Sequence, residues 1–306
     1  MQPVIQVEHL RKAYGPVVAV DDISFEVNKG EIFGMVGPNG AGKTSTVECI
    51  EGLRPHSGGT IRVLGYDPQA ERYSLRAHIG VQLQEAALQD RLKVWEALDL
   101  YASFYPRSLD QDALLEQVGL SEKRNTRFAK LSGGQKQRLF IALALLHDPD
   151  VVFLDELTTG LDPQARRVMW EMVREMRARG KTVFLITHSM EEAERLCDRV
   201  AIVDHGRLVA LDSPEHLISG LGAESQVIFT VDGTPNLEPL RALPEVRHVQ
   251  QVEDRVILSG RNGSDTLLSS VVQALPASGI RYHDIHTQRP TLDDVFLQLT
   301  GRTIRD

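Results

Sequence analysis

Cysteine is nearly absent: the 306 residues hold two, Cys49 and Cys197. Both lie in amphipathic stretches without a metal-type spacing. That excludes a disulfide-stapled scaffold and a cysteine-ligated zinc site, and the pair reads as core thiols of a reducing compartment. Long apolar runs are missing too. The longest, Leu139 to Leu146, falls far short of the ~20 residues that cross a bilayer. Positive charge is not in excess. A formal net charge of −8 weighs against a nonspecific nucleic-acid binder. Glu8, Arg11 and Lys12 interrupt the apolar positions near the start, which is unlike a signal peptide. These absences predict a soluble, cytoplasmic protein that at most docks on a membrane protein. The length suggests two domains with a sizeable core.

What is present centres on Gly37-Pro38-Asn39-Gly40-Ala41-Gly42-Lys43-Thr44. This is the phosphate-binding pattern G-x-x-x-x-G-K-[ST]. Ile32 to Val36 before it reads as a buried strand, and Thr44 to Gly52 after it as a helix. Glycines let the backbone curl close to an anion, and the curled N–H groups form a nest for phosphate oxygens. The helix start adds unpaired N–H groups and roughly half a positive charge. Lys43 can bridge β- and γ-phosphates, and Thr44 can offer its hydroxyl to Mg²⁺. An ordinary glycine-rich turn would need neither the strand nor the helix.

Val4 to Leu10 alternates as a strand. A turn at Ala13-Tyr14-Gly15-Pro16 follows, then short strands Val17 to Val20, Ile23 to Val27 and Thr60 to Leu64. Tyr14 is equally a packing tyrosine or a ring that stacks on adenine. Gly80 to Gln84 precedes a largely helical region, about 88–147, whose stripe (Leu92, Trp95, Leu98, Leu100, Tyr101, Phe104) reads as core or docking surface. That region ends in Leu131-Ser132-Gly133-Gly134-Gln135. Ser132 is a good N-cap, and two glycines expose N–H groups beside it. A plain capped helix has no use for paired glycines in its first turn, so this is a second candidate anion site. Val151 to Leu154 is a buried strand ending in Asp155-Glu156, acids placed at the ligand crevice of an open α/β sheet. Asp155 is the candidate Mg²⁺ partner and Glu156 the candidate base for water. Thr182 to Ile186 ends in Thr187-His188 at the same end of the sheet, and 201–203 with 208–211 forms a hairpin.

Ser219 to Gly222 reads as a linker between domains at 1–220 and 221–306. Beyond it the order is strand 225–231, helix 236–243, strands 246–252 and 255–259, helix 264–275 and strand 281–286. That βαββαβ order suggests a ferredoxin-like domain. Thr291 then caps a last helix with an apolar face of Leu292, Val295, Phe296 and Leu299. His283 and His286 do not make a metal site.

Together these motifs resemble the ATP-binding subunit of an ABC transporter across residues 4 to about 220. Gly37 to Thr44 is similar to Walker A, Val151 to Glu156 to Walker B, and Leu131 to Gln135 to the LSGGQ signature. Gln84 matches the Q-loop glutamine, Leu161-Asp162 the D-loop, His188 the switch histidine and Tyr14 the adenine-stacking aromatic. Ile79 to Glu85 and Pro290 to Arg302 resemble the drug-exporter, daunorubicin-resistance-like branch. Leu157 departs from the proline common after the glutamate. The resemblance implies an α/β fold: a mixed-sheet P-loop NTPase core with antiparallel β and helical subdomains, and a small α+β C-terminal domain.

The resemblance also implies a homodimer closing around two ATP molecules. Ser132, Gly133, Gly134 and Gln135 of one subunit would face the nucleotide held at Gly37 to Thr44, Ser45 and Tyr14 of the other. Thr44, Gln84 and Asp155 would serve Mg²⁺. Glu156 would polarise water, His188 would hold the γ-phosphate, and Asp162 would pass state across the interface. A polytopic permease at the cytoplasmic face of the membrane would be the partner, with drug or lipid-like efflux the output and no nucleic acid involved. The alternative, a non-transport ABC ATPase acting on ribosomes or DNA, usually carries two cassettes or a long coiled coil. Neither is evident here.

Overall fold

The computed structural model describes residues 3–82, 87–220, 225–231, 233, 235–260, 265–288 and 290–301. The chain forms two compact units, one built on Met1–Pro214 and the other on Glu215–Thr303.

In the first unit, strands β1 (Pro3–Tyr14), β2 (Val17–Asn28) and β4 (Gly58–Val63) make an antiparallel sheet in the order β2-β1-β4. The expected short strands of this region are two long ones. Tyr14 pairs with Val17 right around the turn. His9 and Asp22 take left-handed φ angles of 48° and 62°. They shift the register there, so the apolar alternation breaks although the strands continue.

The second sheet has six strands: β3 (Ile32–Val36), β5 (Ile79–Gln82), β6 (Val151–Asp155), β7 (Thr182–Thr187), β8 (Arg199–Asp204) and β9 (Arg207–Asp212). Their order is β5-β6-β7-β3-β8-β9, parallel except for the β8–β9 hairpin. Strands β3 and β7 are buried at every position, as parallel strands covered on both faces must be. Helix α1 (Lys43–Ile50) follows β3, α2 (Arg72–Arg76) precedes β5, α6 (Pro163–Ala178) joins β6 to β7, and α7 (Met190–Leu196) joins β7 to β8.

Between β5 and β6 the expected helical region is broken into α3 (Val94–Ala102), α4 (Gln111–Gln117) and α5 (Gly133–Leu145), with single 3₁₀ turns at Ser121–Lys123 and Phe128–Lys130. Its apolar stripe divides. Leu98 is fully buried, whereas Leu100 and Phe104 are 47% and 68% exposed.

A column of rings ties the layers together. Phe25 of β2 stacks on Phe33 of β3 at 5.2 Å, Phe33 meets Phe184 of β7 at 5.2 Å, and Phe184 meets Phe153 of β6 at 5.5 Å. Ring pairs at these separations add to the stabilisation from burial alone. The column runs through the three strands whose carboxyl ends carry the site.

Helix α8 (Pro214–Gly220) begins at the border of the units and takes in Ser219 and Gly220 of the expected linker; Leu221 and Gly222 lie outside the described residues. The second unit then follows the expected order: β10 (Ser225–Val231), α9 (Glu238–Arg241), β11 (Val246–Val252), β12 (Arg255–Gly260), α10 (Asp265–Ala277) and β13 (Tyr282–Gln288). Its antiparallel sheet runs β11-β12-β10-β13, the ferredoxin-like arrangement, around Phe229, Leu258, Leu267, Val271 and Leu275. The last helix, α11 (Leu292–Thr300), has the expected capping box, with the Thr291 N–H donating to Asp294 Oδ2 at 2.8 Å. Leu292, Val295 and Phe296 are buried, but Leu299 is 44% exposed. The apolar face stops one turn short of what its spacing suggests.

Truncating the ring at the centre of the column, Phe184→Ala, should cost about 3–5 kcal/mol. Urea unfolding followed by tryptophan fluorescence checks this, because both tryptophans, Trp95 and Trp170, lie in the first unit. A loss below about 1 kcal/mol would show that the column is not a keystone.

Candidate functional site

Strand order decides what meets at the site. Strand β7 lies between β3 and β6, with Val36 opposite Thr187 and Asp155 opposite Ile186. The phosphate loop, Thr187-His188 and Asp155-Glu156 therefore emerge side by side at the carboxyl ends of parallel strands, where ligand crevices of open α/β sheets form.

The loop from Gly37 to Gly42 is pressed between neighbouring backbones. A Cβ on Gly37 would stand 2.1 Å from the Val203 carbonyl oxygen, and one on Gly42, whose φ is 99°, would stand 2.4 Å from that of Ala19. Only glycine fits at either position. Pro38 and Ala41 are buried, Asn39 and Gly40 exposed. Lys43 opens α1 and is buried, its Nζ donating to the carbonyls of Gly37 at 2.7 Å and Pro38 at 2.9 Å. Burial pulls its pKa down, and the carboxylates of Glu156 and Asp155 oppose that pull. Thr44 is exposed in the first turn. Ser45 Oγ lies 3.4 Å from the Tyr14 hydroxyl, which sets that ring beside the loop.

Tyr14 is 40% exposed. Lys12 lies against its ring, Nζ 4.6 Å from the centroid, and donates to the Pro55 carbonyl at 2.7 Å. Sequence reasoning missed Lys12. The signal was there, since residues two apart on a strand share a face.

Glu156 follows β6 in a left-handed conformation, φ 48°, and its N–H donates to the Ile186 carbonyl at 2.9 Å. Its Oε1 lies 3.1 Å from His188 Nδ1, and Thr159 Oγ1 donates to its Oε2 at 3.4 Å. Leu157, at the position where proline is common in the family, is buried. Asp155 is pushed up to about 6, first by burial, then by the negative charge of Glu156, against the counter-pull of Lys43. Glu51, also missed, is buried nearby. Its carboxyl sits well above the ordinary range through burial and then through Asp155 and Glu48.

The second candidate anion site is separate. Ser132 caps α5: its Oγ accepts from the Gln135 N–H at 3.3 Å, and its own N–H donates to Gln135 Oε1 at 3.0 Å. Asp162 caps α6, accepting from the N–H groups of Gln164 and Ala165 at 3.0 Å each. Ser132, Gly133, Gly134, Gln135 and Asp162 line one cavity of about 240 Å³, and no residue of the phosphate loop lines it. Gln84 lies outside the described residues.

A family profile described as "ABC transporter" matches residues 20–159. Over 312 residues the chain is 37% identical to the linearmycin resistance ATP-binding protein LnrL of Bacillus subtilis, covering 99% of this chain and 100% of that one. It is 40% identical over 319 residues to the Nod factor export ATP-binding protein I of Paraburkholderia xenovorans, covering 100% and 99%. Among solved structures, an ATP-binding subunit of an ABC transporter superposes with a TM-score of 0.65 at 30% identity, covering 72% of this chain and 93% of that one. A dimeric ATP-binding cassette solved after hydrolysis, with ADP and Pi, gives a TM-score of 0.62 at 23% identity over 68% and 98% of the two chains. That likeness bears on the fold alone.

The Asp155 carboxyl binds its proton more tightly folded than unfolded. Its contribution to stability is therefore fully present below about pH 4 and lost as pH rises through about 6. With a chelator present, Asp155→Asn should recover about 1 kcal/mol at pH 7.5 and nothing at pH 4, a figure discounted because the carboxyl is partly exposed. Thermal melts at the two pH values check it. Equal shifts at both would remove the burial penalty as the cause.

Proposed function

The chain belongs to the ATP-binding proteins of ABC transporters, and on that premise we propose that it hydrolyses ATP to drive export through a separate polytopic membrane subunit. The observation that carries this reading is the convergence of Lys43, Asp155, Glu156 and His188 at the ends of three adjacent strands.

Each group has a role that its surroundings support. The phosphate loop and the start of α1 cradle the phosphates with N–H groups. Lys43 exchanges the carbonyls of Gly37 and Pro38 for phosphate oxygens. Tyr14 offers a ring face to the adenine. Thr44 and Asp155 are oxygen donors, the ligand type that Mg²⁺ takes, and would hold the ion, which would supply neutralisation of charge on the phosphates. Glu156 takes the proton of the attacking water, and His188, hydrogen-bonded to it, orients the carboxylate and reaches the γ-phosphate. Gln84 would report the state of that site to the membrane partner.

The separate cavity at Ser132 and Asp162 supports a head-to-tail homodimer. Ser132, Gly133, Gly134 and Gln135 have a helix start suited to an anion, and the phosphates that fill it would be those held by a second copy. Losing the γ-phosphate loses those contacts, so hydrolysis opens the pair. Exposed Leu100 and Phe104 offer an apolar landing for a helix of the membrane partner. Among the described residues no helix is long and apolar enough to cross a membrane, which fits a peripheral subunit at the cytoplasmic face. The names of the resistance and export relatives support efflux of a drug or lipid-like compound over action on ribosomes or DNA.

Glu156→Gln should lower ATP turnover by about 10²–10⁴ while leaving ATP binding intact. Near-normal hydrolysis would remove Glu156 as the base. Lys43→Ala should abolish ATP binding, and retained tight binding would sink the phosphate-loop assignment. Affinity purification from solubilised native membranes should bring down a polytopic protein in near-equal amount. Ribosomal or DNA-repair proteins in its place would overturn the transport reading.

A further inference from the structure

The phosphate loop is held from behind by a hairpin that none of the recognised motifs includes. We propose that the turn His205-Gly206, between β8 and β9, is a positioning element for nucleotide binding, and that the ion pair of Asp21 with Arg207, the first residue of β9, fixes it in place. The inference rests on the reading of Gly37 to Thr44 as the ATP site.

Three contacts carry it. The Gly206 N–H donates to the Ala41 carbonyl, inside the loop, at 2.9 Å. The Gly206 carbonyl accepts from the Asp21 N–H of β2 at 2.7 Å. Arg207 Nη2 and Nε both donate to Asp21 Oδ2, at 2.7 and 3.2 Å. One backbone unit of the turn thus joins the loop to β2, and the ion pair beside it closes the joint.

The first contact matters because a trans peptide points its C=O and its N–H in opposite directions. Tying the Ala41 carbonyl to the hairpin turns the N–H of Gly42, on the same peptide, toward the other side of the loop. A nest needs its N–H groups held in that direction before the anion arrives, since ordering them on binding would cost affinity. The hairpin is built for close approach. His205 and Gly206 have φ of 47° and 75°, the two positive values of a type I′ turn. A Cβ on Gly206 would stand 2.8 Å from the Ala19 carbonyl oxygen, and one on Gly42 would stand 3.3 Å from the Gly206 Cα. Turn, loop and β2 meet backbone to backbone.

The test compares wild type, Arg207→Ala, the swap Asp21→Arg/Arg207→Asp, and Gly206→Ala in the full chain, with a fluorescent N-methylanthraniloyl-ATP as probe. Arg207 and Asp21 are 71% and 39% exposed, so removing the pair should leave the thermal midpoint nearly unchanged. If the pair positions the loop, Arg207→Ala should raise the probe's Kd and the KM for ATP by about two- to fivefold, with kcat within about twofold. The swap should recover most of that loss. Gly206→Ala should raise Kd by about tenfold; should it fail to fold, Arg207→Ala and the swap still decide. Unchanged Kd and KM in Arg207→Ala, or a swap that recovers nothing, would overturn the proposal. Failure of wild type itself to bind the probe would instead sink the ATP-site reading.

Discussion

Parallel pairing of β6, β7 and β3 is the constraint on which the site depends. Parallel strands all end at the same edge of a sheet, so whatever follows each strand is delivered to one crevice. The chain uses this three times: a glycine loop after β3, two acids at and after β6, and Thr187 and His188 at and after the end of β7. A slip of one residue in any of these strands would turn its side chains to the opposite face. The ring column of Phe25, Phe33, Phe184 and Phe153 runs through these strands. Large buried side chains in fixed contact resist such slips, so the geometry of the chemistry is set by packing beneath it.

The electrostatics follow from that crowding. The Lys43 ammonium and the Asp155 carboxyl share a small space with Glu156, and burial disfavours the charged form of Lys43 and of Asp155. Lys43 is drawn down and Asp155 up, each restrained by the other's charge. Glu51 adds a further acid beneath. Two of these groups have substitute partners within the protein: Lys43 has the carbonyls of its own loop, and Glu156 has His188 and Thr159. Phosphate binding is thus an exchange of hydrogen bonds, which keeps its net gain modest per contact. The advantage lies in a lysine already held at the loop it would serve.

Much of this was legible in the residues because the site is made of contiguous motifs. A phosphate loop needs its glycines and lysine at fixed spacing, and the strand that leads into Asp155-Glu156 announces its burial by its apolar run. The βαββαβ order of the second unit was equally local, with each element bounded by its own turn residues. What escaped depended on distant neighbours. The left-handed angles at His9 and Asp22 let two long strands continue across a break in alternation. The helical region between β5 and β6 is divided by turns that apolar spacing does not record. Leu299 continues a helical face in sequence, yet stands exposed. Lys12 shares a strand face with Tyr14 but gains meaning only when a ring contact is measured. Glu51 reads as one more helical glutamate until its burial beside Asp155 and Glu48 is seen.

The two anion sites present a last physical point. Each is a helix start with glycines at or near it, and each could hold phosphate by the same N–H chemistry. They differ in what surrounds them. At α1 a buried lysine, two acids and a histidine converge, so charge neutralisation and proton removal are both available. At α5 the cap is Ser132 and the nearest acid in the cavity is Asp162, whose carboxylate is committed to capping α6. On the proposed reading the second site would recognise a phosphate, and among the described residues lining it no free carboxylate or histidine stands ready to act on one. Recognition without chemistry, displayed on a different surface of the same chain, is what a sensor of another copy's nucleotide requires. In the proposed homodimer it would couple closure of the pair to the presence of the γ-phosphate on the other copy.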